Sequence, residues 1–186
     1  LKFEDPELAE RARIAAIPTP RAASREEREE GSGLALAGAV PVFRDGQLLC
    51  LLYGGVLLNR DVTIVDTIRD TVFHNETYKG RNIGTATIFF EDLRISTNVL
   101  TPEGKRAIGT RISAEVKTVV LDEGRKWTDR AFVVNDWYLT AYEPIEDIYG
   151  KRVGILYVGV LEEKYGDIRR NAFTIFIALT ILGMGL

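Results

Sequence analysis

The chain has 186 residues, 46% of them hydrophobic and 27% charged, enough to bury one generous core or two modest ones and too apolar for a disordered chain. Its 24 basic and 27 acidic residues leave a formal net charge of −3, which gives no basic footprint for nucleic acid. The one cysteine, Cys50, excludes an internal disulfide, and the one histidine, His74, has no second His and no neighbouring Cys with which to hold a metal.

The chain opens without an initiating Met, on a charged helical pattern rather than a signal peptide, and so reads as part of a longer protein. Asp5 is the expected N-cap of that helix and Pro6 its first residue. A polar loop, TPRAASREEREEGSG, follows and leads into the strand LALAGAVPVF, a tight turn at Asp45-Gly46 and a second strand, CLLYGGVLLN. DVTIVDTIRDTV places Val65, Ile68 and Val72 on one helical face and reads as a rigid connector. IGTATIFF and LRISTNV then form a strand pair around a turn at Glu91-Asp92. SAEVKTVVLDEG carries Val116, Val119 and Val120 at helical spacing, with Gly124 as a stop. Two further strands, DRAFVVND and WYLTAYEPI, precede a turn at Tyr149-Gly150 and the strand of GILYVGVLEE. Residues 172–186 carry no charge and follow Arg169, Arg170 and Asn171. A spanning helix needs ~20 apolar residues, so this run is expected to be the start of a transmembrane helix, the alternative being a buried C-terminal helix.

One phrase occurs twice. Leu52, Tyr53, Gly55, Val56 and Leu57 recur as Leu156, Tyr157, Gly159, Val160 and Leu161; upstream, Pro41 falls on Pro144 and Gly46 on Gly150. Each copy is a strand, a turn and a strand, with a glycine where a backbone must pass closely. The second copy has a helix, a third strand and an opening strand pair before it; the first begins at its helix and lacks that pair.

Two tandem units of this order ahead of a membrane helix resemble the double Cache family, the PAS-like extracytoplasmic sensor domains of bacterial receptors. GTATIFFEDLRISTNV, AIGTRISAEV and DRAFVVNDWYLTAYEPIEDIYGKRVGILYVGVLE carry the likeness, which covers most of residues 34–165. The ending Ala141-Tyr142-Glu143-Pro144-Ile145 with Gly150-Lys151-Arg152-Val153-Gly154 resembles the close of Cache modules in sensor histidine kinases and chemoreceptors, the citrate and dicarboxylate sensors among them. The resemblance implies an α+β fold of tandem modules, each an antiparallel sheet with helices on one face. Residues 1–60 would be the C-terminal part of a membrane-distal module, 61–82 a connecting helix and linker, 83–165 the membrane-proximal module, and 166–186 a juxtamembrane segment entering the membrane helix. It also implies location at the inner (plasma) membrane with this region in the periplasm or outside the cell, and a homodimer as a candidate assembly.

An arginine facing into a pocket suits a carboxylate, because its planar fork donates two parallel bonds. Arg94, Arg111 and Arg130 are the candidates, the alternative for each being an exposed or salt-bridged arginine. Thr97, Trp127, Phe132, Tyr138 and Thr140 complete the expected ligand-binding set; the aromatics are otherwise packing anchors. In the first copy the corresponding candidates are Arg21, Arg25 and Tyr53. No catalytic residue, metal or cofactor is expected. The function implied is sensing of a small polar metabolite, with a conformational change passed to the membrane helix. The rival is a relay module that binds no small molecule, its pocket filled by Phe89, Phe90, Phe132, Trp137 and Tyr138.

Overall fold

The computed structural model describes residues 6–184; the expected cap Asp5 lies outside them. Helix α1 (Pro6–Ala12) leads to strand β1 (Ile14–Ala15), which pairs with β2 (Glu29–Glu30) across the polar loop. A hairpin of β3 (Ala35–Arg44) and β4 (Gln47–Leu57) follows. Asp45 (φ 51°) and Gly46 (φ 78°) form its two-residue turn, both in the left-handed region that a type I′ turn requires. Helix α2 (Thr63–Val72) begins where the Asp61 carboxylate accepts the Thr63 amide at 2.8 Å.

A small hairpin, β5 (Thr77–Tyr78) with β6 (Arg81–Asn82), precedes the main sheet. That sheet contains β7 (Gly84–Phe90), β8 (Leu93–Thr97), β9 (Trp127–Val133), β10 (Asp136–Glu146) and β11 (Arg152–Leu161). Its spatial order is β8-β7-β11-β10-β9 and every pairing is antiparallel. Between β8 and β9 lie α3 (Ala114–Lys117), capped by Ser113, and a π-helical stretch, Thr118–Asp122. Helix α4 (Glu162–Met184) starts at the residue after β11 ends.

Alternation along the strands divides the core in two. On one face Phe89, Tyr138, Tyr142, Ile155, Tyr157 and Leu161 pack with Ile112, Val116 and Val120 of the α3 region. On the other, Ala86, Ile88, Leu93 and Ile95 pack with Val65 of α2, Leu58 and Ile14. Both faces are therefore covered, where helices on one face alone were expected. Gly159 is required by close approach: a Cβ there would meet the Tyr157 hydroxyl at 2.1 Å.

The tandem arrangement is not what the described residues form. They make one five-stranded sheet domain, and the segments around Ile14 and Leu58 are built into its core. Helix α2 is part of the same domain rather than a connector; Val65 is fully buried, while Val72 points out to solvent. Asn59, buried, fastens these parts by donating to Ala12 O (2.6 Å) and accepting from the Leu34 amide (3.1 Å). The β3–β4 hairpin stands away from the core, with Leu36, Val40, Phe43, Leu51, Leu52 and Tyr53 exposed.

Its register nonetheless repeats that of β10–β11. Pro41 lies opposite Leu51 and Ala39 opposite Tyr53, as Pro144 lies opposite Ile155 and Tyr142 opposite Tyr157. Among the described residues no helix is long and apolar enough to cross a membrane. The expected start of such a helix takes the form of the exposed apolar end of α4, where Phe173, Phe176, Leu179 and Ile181 face outward.

Candidate ligand-binding site

A cavity of about 600 Å³ lies on the α3 side of the sheet, against its β9 edge. The size is within the range of roughly 300–1,000 Å³ of small-molecule sites. Arg94, Tyr142, Trp127, the β9 residues Arg130–Val133 and Val134 just after them line it from the sheet, residues 110–116 from α3 and its approach, and Pro18–Arg21 from the polar loop. That loop is strapped over the site by hydrogen bonds. The Ile17 amide donates to Gly109 O (2.8 Å), the Ala114 amide to Arg21 O (2.7 Å), and the Arg111 amide to Thr19 Oγ1 (3.0 Å).

Arg94 is the unusual group. Its position comes from a bulge in the β7–β8 ladder, where Ile88 pairs with Ser96 but Phe89 pairs with Arg94. The extra residue, Ile95, lets Arg94 share the cavity face with Phe89, while Ser96 turns the other way and donates to Asp61 O. Only 4% of Arg94 is exposed. Its guanidinium donates one hydrogen bond among the described residues, from Nη1 to Thr110 Oγ1 at 3.1 Å; Nε is buried with no partner. Burial holds its pKa below the ordinary arginine value, with Tyr142, Tyr157 and Tyr138 acting in the opposite direction. Burial in turn pushes the phenols of Tyr138 and Tyr142 up to about 12 and that of Tyr157 well above its ordinary value.

The other two arginines have internal carboxylates. Arg111 grips Asp92 through Nε (3.0 Å) and Nη2 (2.5 Å) and donates from Nη1 to Ala23 O (2.7 Å). Asp92 is nearly fully buried and also faces Arg25, which pairs with Glu30 at 2.7 Å. Arg130 donates to Glu162 at the start of α4 (2.5 Å) and lies 4.0 Å from the centre of the Trp137 ring. For Arg111 and Arg130 the salt-bridged alternative is thus the one observed, although both line the cavity.

Of the eight expected ligand-binding residues, Arg94, Arg111, Trp127, Arg130 and Phe132 line this cavity. Thr97, Tyr138 and Thr140 do not, because their polar or apolar surfaces are used in the core. Thr97 bonds to Thr87 (2.6 Å), Thr140 donates to Asp129 O (2.7 Å), and the Tyr138 ring is packed in the hydrophobic cluster. Of Arg130, Phe132 and Val134, expected on one face, Val134 lines the cavity beside the other two but does not continue the strand. Val134 is in the turn after β9 with φ 60°, a conformation rare for a β-branched residue.

The sequence set lacks Thr110 and Tyr142, and it assigns Arg21 to a different module. Arg21 lines the mouth of the cavity, whereas Arg25 is held in the Asp92–Glu30 network and Tyr53 is exposed on the hairpin. Trp127 adds a second orphan donor: its indole Nε1 is buried without a partner, and its strand position is directly opposite Tyr142.

No curated protein and no solved structure matches the chain. An open cavity on the helix-covered face of a five-stranded antiparallel sheet is nevertheless the arrangement expected of a Cache fold. Residues 56–172 match the family model described as single Cache domain 3, well over half of the chain, and the chain belongs to that family.

Proposed function

We propose that this Cache domain senses a small carboxylate, held in the cavity with Arg94 as the anchor, and passes a conformational change to α4. Cache domains are typically extracytoplasmic ligand-sensing units. The observation that carries the reading is the Arg94 guanidinium, buried on the cavity wall with an unpartnered Nε and no ion pair among the described residues. A buried charge without a partner is costly, and a bound carboxylate would compensate it. The relay rival needs a pocket plugged by its own aromatics. Against it, Phe89 and Tyr138 are packed in the core, Phe132 is half exposed, and an open cavity remains.

The finer receptor reading is also a proposal: a sensor histidine kinase or a chemoreceptor in the inner membrane, with this region outside the cytoplasm and without catalysis of its own. The exposed apolar end of α4 supports attachment to a bilayer.

The experiment is a thermal-shift screen against carboxylates, amino acids, amines and purines. A ligand at 100 times its dissociation constant adds ~2.7 kcal/mol, a rise on the order of 5–10 °C in a domain of this size. A carboxylate-specific shift that Arg94→Met removes is the expected result. A screen in which no compound shifts the transition would sink the sensing reading in favour of relay.

A further inference from the structure

We infer that the cavity selects a small monocarboxylate with an apolar, ring-sized body and rejects di- and tricarboxylates. The inference rests on the proposed role of Arg94 as anion anchor and narrows it to one ligand class.

The charges lining the cavity carry the argument. Arg111 is already neutralised by Asp92, and Arg130 by Glu162. Arg94 has no such partner among the described residues. Arg21 and Glu115, both exposed at the mouth, are screened by solvent and require no counter-ion. The interior therefore presents one uncompensated positive charge. One carboxylate on the Arg94 fork supplies the acceptor that Nε lacks and cancels that charge.

A second carboxylate carried deeper into the site would lose its hydration without meeting a free cation. Around the anchor the surface is apolar: Pro18, Ile112, Val116, Phe132 and the Trp127 ring. Such a wall rewards a hydrocarbon body and penalises a second anion, so selectivity arises as much from exclusion as from attraction. The orphan Trp127 Nε1 adds a place for one neutral acceptor on that body, such as a carbonyl or ether oxygen.

The test is calorimetric titration of the whole chain in mild detergent with phenylacetate, phenylacetamide, succinate and citrate, followed also by tryptophan fluorescence. The expected result is phenylacetate binding at least tenfold tighter than succinate or citrate. Phenylacetamide should be weakened at least tenfold, and Arg94→Met should lose phenylacetate binding while keeping a cooperative thermal transition. Should Arg94→Met fail to fold, Arg94→Lys, which keeps the charge but not the fork, should bind phenylacetate more weakly than the parent chain.

Succinate or citrate binding as tightly as phenylacetate overturns the monocarboxylate inference and leaves the sensing reading standing. Equal binding of phenylacetamide, or phenylacetate binding unchanged in both Arg94 variants, overturns the anchor and with it both readings. Absence of binding by all four probes overturns the inference; the broader screen then decides on sensing separately.

Discussion

Arg94 stands opposite Phe89 in the β7–β8 ladder, its guanidinium carbon 5.1 Å from the centre of the phenyl ring. The ring face offers the cation an electrostatic contact, worth about 2 kcal/mol when desolvated, which does not replace a buried counter-ion. The site thus keeps a destabilising charge in its empty state. Arg94→Met should fill similar volume without that charge and raise the melting temperature of the unliganded chain by a few degrees, for a gain of about 1 kcal/mol. Differential scanning calorimetry checks this; a melting temperature lowered by more than a few degrees would show that the arginine stabilises the empty fold.

Asp92 is in the opposite situation, one buried carboxylate facing two arginines. Asp92→Asn should leave Arg111 without its carboxylate and Arg25 with Glu30 as its remaining ion pair among the described residues, and cost about 3 kcal/mol. Because Arg111 also holds Thr19 and Ala23, the polar loop should open before the sheet melts. Hydrogen exchange would show early loss of protection at the Ala114 and Ile17 amides. Unchanged exchange there would mean the loop is held without the Asp92 pair.

The tyrosines around Arg94 set an alkaline limit. An unfolded tyrosine titrates near 10, whereas burial raises Tyr138 and Tyr142 to about 12 and holds Tyr157 well above its ordinary value. Raised folded values mean that the native state retains protons the unfolded chain has already released. The associated stability is complete below about pH 10 and falls as pH rises towards 12, by about 1.4 kcal/mol per pH unit for each of Tyr138 and Tyr142. Tyrosinate absorbance should show three of the seven tyrosines ionising only as the fold is lost. All seven titrating near pH 10 with circular dichroism unchanged would refute it.

The β3–β4 hairpin contributes almost nothing to either core cluster. Replacing residues 36–56 by a short Gly-Ser turn, with Leu34, Leu57 and Asn59 kept, should shift the melting temperature by no more than a few degrees. It should also lower the tendency to aggregate, since a two-sided apolar hairpin with free edges is a template for pairing. Light scattering and calorimetry together test this, and a large fall in stability would show that the hairpin braces the domain.

Much of the fold was legible because its signals are local. The Asp45-Gly46 and Glu91-Asp92 turns, α2 and the strands of the main sheet follow from turn chemistry and periodicity over a few residues. The sides on which residues face were harder to read. One bulge at Ile95 brings Arg94 and Thr97 to the same side, although simple alternation separates them. The charge state of the site was harder still. Whether Arg111 and Arg130 are free depends on Asp92 and Glu162, which only the folded chain brings to them. The roof over the cavity comes from a loop that sequence reading places in another module, since nothing within residues 18–25 indicates which sheet they cover.

Strand β11 occupies the centre of the sheet, and α4 follows it with no intervening loop. That junction has no hinge, and it is braced from the side. Lys79 pairs with Glu163 and Asp167 at 2.7 Å, Arg81 with Glu163 and Asp136, and Arg130 with Glu162. The helix therefore behaves as a lever rooted in the sheet. Its 23 residues extend ~34 Å at 1.5 Å per residue, so a tilt of about 5° at the root moves the far end by about 3 Å. A rearrangement too small to change the sheet's pairing is in this way magnified into a displacement comparable to half a helical turn.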